Sequence, residues 1–358
     1  MKLIQLETPA LVADLDIIEK NMQTMKEILS GGILRLRPHF KSHKCAALAH
    51  KQMEMGAVGI TCAKISEAED LCDSGIDNIL IANQVVDPEK IARLARMAGK
   101  CRLTVCADEE ENLRMLSCAA ESAGTVIHIL VEYDIGMSRC GVTDPETYVK
   151  LARLAEKLPG LSYEGIQAYA GHVSHMLTSE ERKAATDKNA ERIRILVRLL
   201  AENGIAVNTI SGGSTGTAVL KAAQGLYTEL QAGSYFFMDA TYGNLDIPFE
   251  NSLFLMATVC SKREGLTVLD AGVKSLGMDQ GDPICLTMDG TRVVCDHMDI
   301  NEEHLKLFGP QKDLAIGEKV LLIPGHCCST VNLHDKIYLY RDGQIVDRLP
   351  VTSRGHSV

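Results

Sequence analysis

The run Arg37-Pro38-His39-Phe40-Lys41-Ser42-His43-Lys44 places a lysine just beyond an apolar stretch, with a proline that forbids a helix interior. A lysine amine there can form an imine with a carbonyl compound if its neighbours lower its pKa. His39, His43 and Lys44 stand close enough in sequence to do part of that work. A solvated basic loop is the competing reading of this segment on its own. A second run, Ser211-Gly212-Gly213-Ser214-Thr215-Gly216-Thr217, leads directly into a helical pattern. Small residues let backbone N–H groups reach a phosphate, and a helix start favours the anion. The spacing matches neither a dinucleotide fingerprint nor a P-loop. Gln231-Ala232-Gly233-Ser234-Tyr235 follows with more small residues and one phenol. Ser214, Thr215, Gly216, Gly233, Ser234 and Tyr235 are therefore the candidate phosphate contacts, tight turns being the alternative for each run alone.

Near the C-terminus, Ile323-Pro324-Gly325-His326-Cys327-Cys328-Ser329-Thr330 offers an imidazole and a thiol two residues apart. If the segment is extended, His326 and Cys328 share a side and Cys327 points away. Such a pair suits Zn²⁺ and other borderline divalent ions better than Mg²⁺ or Ca²⁺. Gln167, Tyr169 and Gly171 alternate, so they share one face of a strand, and Gly171-His172-Val173-Ser174-His175 follows. Cys62, Cys72 and Cys106 read as packing residues.

These residues need elements to position them. From about residue 33 to 235, short apolar runs alternate with amphipathic segments: ILRLRP at 33–38, VGITCAK at 58–64, NILIANQ at 78–84, CRLTVCA at 101–107, TVIHILVEY at 125–133, SYEGIQAYAG at 162–171, VNTISGG at 207–213 and TELQAGSY at 228–235. Strands separated by helix-like segments such as SEAEDLCDSG and PEKIARLARMAGK predict parallel βα units closed into an α/β (β/α)8 TIM barrel over residues 10–245. Barrel enzymes carry their chemistry at the C-terminal strand ends, where Lys41, Tyr169 and the SGGSTGT loop fall. After residue 245, strand-like runs broken by Asp-Gly, as in MDGTRVV and YRDGQIV, predict a β-rich second domain at 246–358, joined by residues 1–9.

The 358 residues carry a net charge of −10, which argues against nucleic acid or an anionic membrane surface as partner. No apolar stretch is long enough to span a bilayer. The N-terminus lacks the apolar core of a signal peptide, and the 12 cysteines are scattered without a small-domain framework. Reduced thiols in the cytoplasm are the expectation.

The Lys41 run, Asp134-Ile135-Gly136-Met137-Ser138-Arg139-Cys140-Gly141, the SGGSTGT loop and Pro-Gly-His-Cys-Cys resemble, in order and across nearly the whole chain, the D-threonine aldolase and D-serine dehydratase group of fold-type III enzymes. The resemblance implies an alanine racemase-like barrel with pyridoxal phosphate held by Lys41, with Ser42 where the family has threonine. It implies that Arg139 contacts the cofactor ring or its surroundings and that Tyr169 packs near it. It also implies a catalytic divalent metal, Zn²⁺ or Mn²⁺, on His326 and Cys328. A histidine near the substrate hydroxyl would be His175, with His172 as the alternative. Asp279, Glu303 and His304 resemble positions at the edge of the site. The implied reaction is retro-aldol cleavage of a D-3-hydroxy amino acid such as D-threonine to glycine and an aldehyde. The alternatives are a D-serine or D-3-hydroxyaspartate dehydratase, an amino-acid racemase, and a non-catalytic carrier of the cofactor. Relatives imply a homodimer.

Overall fold

The computed structural model describes residues 1–358. The chain divides into two compact units, residues 25–41, 48–233 and 356–358 in one, and residues 1–24, 42–47 and 234–355 in the other.

The first unit is an eight-stranded parallel sheet. Its strands are Arg35–Leu36, Ile60–Cys62, Asn78–Gln84, Arg102–Ala107, Ile127–Glu132, Leu161–Ala168, Thr209–Gly212 and Glu229–Leu230, every neighbouring pair parallel. The sheet closes on itself: Val58 N–H donates to the Leu36 carbonyl, Thr61 N–H to the Pro38 carbonyl, and His39 bridges Thr61 in parallel register. All eight expected strands are present, and the barrel is the one the alternation predicts. Central strands such as Asn78–Gln84 and Ile127–Glu132 read as near-continuous apolar runs because barrel interior and helical layer bury both faces. Helices start where their sequences say they should. Asp87 accepts from Lys90 N–H and Asp144 from Thr147 N–H, each ahead of a proline in the first turn, and Thr178 accepts from Glu181 N–H.

The second unit is a nine-stranded mixed sheet. Ala10–Asp14 lies between Leu253–Arg263, antiparallel, and Lys336–Arg341, parallel. Leu253–Arg263 also pairs with Lys319–Ile323, which pairs with Ile284–Thr287. The N-terminal chain thus contributes a full strand to this sheet. The expected hairpin at Arg341-Asp342-Gly343-Gln344 is present: Asp342 (φ 49°) and Gly343 (φ 66°) are both left-handed, the condition for a two-residue turn that matches strand twist. Leu255, Val259, Leu269, Leu305, Val320 and Leu322 centre one apolar core of the unit.

Candidate functional site

In the barrel unit, Lys41 sits in the short turn Phe40–Ser42 directly after the closing bridge at His39, and its side chain is exposed. His39 Nδ1 accepts from the Lys41 N–H at 3.4 Å. His43 and Lys44, expected to help tune this lysine, make further contacts of their own. The His43 ring packs 5.5 Å from Phe236 and accepts from Cys45 N–H, and Lys44 donates to the Ser353 carbonyl.

Arg139 lies in a loop braced by carboxylates. Asp134 Oδ1 accepts from the N–H groups of Gly136, Met137 and Ser138, Asp108 accepts from Gly141 N–H at 2.7 Å, and Tyr133 bridges Val142. The guanidinium stands 5.4 Å from the centre of the Tyr169 ring, a cation–π contact that orders both side chains. Gly171 leaves room for this contact, since a Cβ would come 2.9 Å from the Tyr169 ring and make it shift. Behind Arg139, Gln84 Nε2 donates to Glu132 at 2.6 Å and to Asp108 at 3.2 Å. Burial, reinforced by Asp108 and Asp134, raises the Glu132 pKa against the opposing pull of Gln84 and Arg139.

The SGGSTGT loop forms the turn Thr215–Thr217 and enters the seven-residue helix Ala218–Gln224. Ser214 and Thr217 cross-link through their hydroxyls at 3.1 Å, and Ser174 donates to Ser214 Oγ at 2.7 Å. A Cβ on Gly216 would lie 2.3 Å from the Ser174 carbonyl oxygen, so only glycine lets the two loops approach. Such a cradle of small residues and hydroxyls fits a phosphate group. Farther along the helix, Lys221 is 4% exposed, with Nζ 4.0 Å from the Tyr227 ring centre and no hydrogen-bond partner. Burial pulls its pKa down to about 7 against the attraction of Asp187. His172 is exposed and His175 half-buried, flanking buried Ser174.

In the β-rich unit, Ser234 and Tyr235 belong to the turn Ser234–Phe236, and the buried Tyr235 ring lies edge-on to Phe236 and Phe249. The His326–Cys328 segment corrects the expectation of an extended strand. His326 is extended (φ −140°), but Cys327–Val331 is a helical turn. Strand alternation therefore does not bring the two side chains together; the tight turn does, close enough for Cys328 to favour the charged imidazole. Cys327 is buried, 3.8 Å from Ser234 Oγ. Asp279 Oδ2 holds His326 Nδ1 at 2.6 Å, and its Oδ1 accepts from the Ser329 hydroxyl. Asp239, fully buried, accepts from the N–H groups of Cys327 and Tyr242 and fixes the turn. Burial opposes the charged imidazole, but Cys328 and Asp279 outweigh it and push the His326 pKa up to about 9.

An imidazole and a thiol, with a carboxylate fixing the other ring nitrogen, make a donor set suited to Zn²⁺ or a similar ion. No cluster of three or more His, Cys, Asp or Glu side chains has metal-binding geometry, so two protein donors would leave coordination positions open. Glu303 is instead paired with Lys274 at 2.8 Å on the surface. Ser174, Asp239 and the Gln84–Glu132–Asp108 group escaped sequence reasoning. For Ser174 the one available signal was a small hydroxyl between two histidines; the others show no local pattern.

A closed parallel barrel with a lysine at its first strand end and a glycine and hydroxyl cradle at its seventh defines the class of alanine racemase-type barrel proteins. Residues 13–241 match the alanine racemase N-terminal domain, and residues 252–340 match a putative serine dehydratase domain. The chain is 41% identical to a D-threonine aldolase of Arthrobacter sp. over 99% of its length and 94% of the relative. It is 37% identical to a 3-hydroxy-D-aspartate aldolase of Paracoccus denitrificans over 98% and 93%. The crystal structure of a D-threonine aldolase from Filomicrobium marinum superposes with a TM-score of 0.95 at 38% identity, covering 100% of this chain and 98% of that one. This chain belongs to the D-threonine aldolase and D-serine dehydratase-like family of fold-type III enzymes, and membership implies pyridoxal phosphate as cofactor. No helix is long and apolar enough to cross a membrane.

Proposed function

We propose that this chain is a lyase that cleaves D-3-hydroxy amino acids, D-threonine among them, to glycine and an aldehyde. The observation that carries the reading is full-length similarity to proteins named as aldolases of such substrates, at 41% and 37% identity, in a chain that has Lys41 at a strand end, a phosphate-type cradle and the His326–Cys328 turn.

Lys41 would hold pyridoxal phosphate, with Ser214, Thr215, Gly216, Gly233, Ser234 and Tyr235 around its phosphate and Arg139 and Tyr169 near its ring. When bound, the cofactor supplies an electron sink for the pair released as the Cα–Cβ bond breaks. His326 and Cys328 would hold a divalent ion, Zn²⁺ or Mn²⁺, which supplies Lewis acidity toward the 3-hydroxyl. Asp279 keeps the His326 ring in one tautomer, and Asp239 keeps the turn that presents Cys328. The base that removes the hydroxyl proton would be His175, with His172 as the other candidate in the same loop. The fixed charge of Arg139, held over Tyr169, would tune the electron demand of the ring. A homodimer in the cytoplasm completes the proposal.

β-Elimination by the same residues is the second reading, favoured by the serine dehydratase-type match over residues 252–340. Purified holoprotein incubated with D-threonine, D-serine and D-3-hydroxyaspartate separates them. Glycine with an aldehyde supports the aldolase; a keto acid with ammonia overturns it.

A further inference from the structure

At the N-terminal mouth of the barrel, opposite the strand ends that carry Lys41 and the phosphate-type cradle, lies a cavity of about 320 Å³. Barrel interiors are normally filled by branched apolar side chains, and this end normally serves stability. Here Arg35 and Arg102, each the first residue of a strand, and Arg37, just past the two-residue first strand, line one opening together with Glu164 and Glu229. Arg37 donates to Glu229 at 2.7 Å and to Asn78 at 3.1 Å, is 5% exposed, and leaves Nε without a partner. Arg102 pairs with Glu164 at 3.0 Å and contacts His128 Nε2 at 3.1 Å. Arginine only donates, so Nε2 accepts and Nδ1–H goes to Glu164 at 2.6 Å. Burial disfavours the Glu164 carboxylate, but His128, Arg102 and Ser162 overcome it and hold its pKa below the ordinary value.

Two guanidiniums are therefore matched by carboxylates and the third is not. Arg35 meets only the backbone carbonyls of Gly32 and Leu34. The opening keeps one formal positive charge in a chain whose net charge is −10. Val58, Leu80 and Leu130 supply an apolar side to the same cavity. Stability alone does not call for this arrangement, because apolar residues of similar volume fill such a space at no desolvation cost.

We infer that the N-terminal mouth of the barrel binds a short-chain monocarboxylate, its carboxylate on Arg35 beside Arg37 and Arg102 and its hydrocarbon part against Val58, Leu80 and Leu130. Carboxylate geometry matches the guanidinium fork, one negative charge completes the count, and the cavity falls in the size range of small-ligand sites.

Calorimetric titration of the holoenzyme with butyrate at low ionic strength tests it. The expected result is saturable binding that weakens about tenfold or more in Arg35→Gln, the loss of one charged hydrogen-bonding group, and similarly in Arg102→Gln. Binding should be unchanged in His326→Ala and absent for butanol. Arg35→Gln touches no side-chain pair, so it tests the site without disturbing the fold. No saturable binding, equal binding by Arg35→Gln, loss of binding in His326→Ala, or equal affinity for sulfate would overturn the assignment.

Discussion

The two ends of one barrel treat charge in opposite ways. At the C-terminal strand ends, Lys41 and Arg139 are exposed, and Arg139 has an aromatic ring rather than a carboxylate opposite it. At the N-terminal mouth, Arg37 and Arg102 are locked to Glu229 and Glu164. A charge that must meet a ligand is left available, as Arg35 also is at the mouth, whereas a charge that defines a wall is paired, because an unpaired buried ion destabilises the fold. The glycines and hydroxyls of the cradle make room for a phosphate with backbone and small side chains, whereas the mouth frames its cavity with paired charged side chains.

The contrast can be broken at its sharpest point first. Lys41→Ala should lower turnover of D-threonine by on the order of a thousandfold or more while leaving thermal unfolding of the cofactor-free protein unchanged; product assay and calorimetry check both. Borohydride treatment of wild type should fix the cofactor on the peptide containing residue 41, and its absence there would remove the basis of the mechanism. At the opposite end, Arg37→Met should leave Glu229 uncompensated and cost about 3–5 kcal/mol in urea unfolding. The double variant with Glu229→Leu should recover most of that loss. If Arg37→Met is neutral, the mouth is not a locked network.

In the β-rich unit, Asp279→Asn should weaken metal retention by about 10–100-fold, the usual cost of losing a histidine's carboxylate partner, read by chelator titration and by rescue at high Mn²⁺. A further effect concerns Lys221. Its folded pKa of about 7 lies below the ordinary value of 10.5, so between those values the unfolded chain binds the extra proton and stability rises with pH. Below pH 7 the buried ammonium is a full penalty. Lys221→Met should flatten that slope between pH 7 and 10 and raise stability at pH 6, measured by denaturant midpoints.

Much of this was legible in the sequence because it is local. Each βα unit carries its own apolar run followed by an amphipathic segment, so eight strands could be read in order. Lys41 and the SGGSTGT loop declare themselves by residue type at strand ends. The His326 run was legible by composition but not by geometry. A period-two argument assumes extension, and the hydrogen bond from Thr330 Oγ1 to the His326 carbonyl helps hold a helical turn instead. Asp239 and Asp279 lie 88 and 47 residues from their partners; family resemblance put Asp279 at the edge of the site without naming its partner, and no short-range pattern points to Asp239.

The sequence by itself determined the order of elements, the closed parallel barrel, the β-rich unit and the residue types that can do chemistry, because these follow from periodicity, turn residues and side-chain identity. Only the tertiary structure decided which carboxylate steadies which histidine, that His43 packs against Phe236 and Lys44 reaches the Ser353 carbonyl, and that three arginines share one cavity. Those outcomes depend on contacts between distant segments, where burial and pairing energies set the arrangement and sequence spacing carries no information.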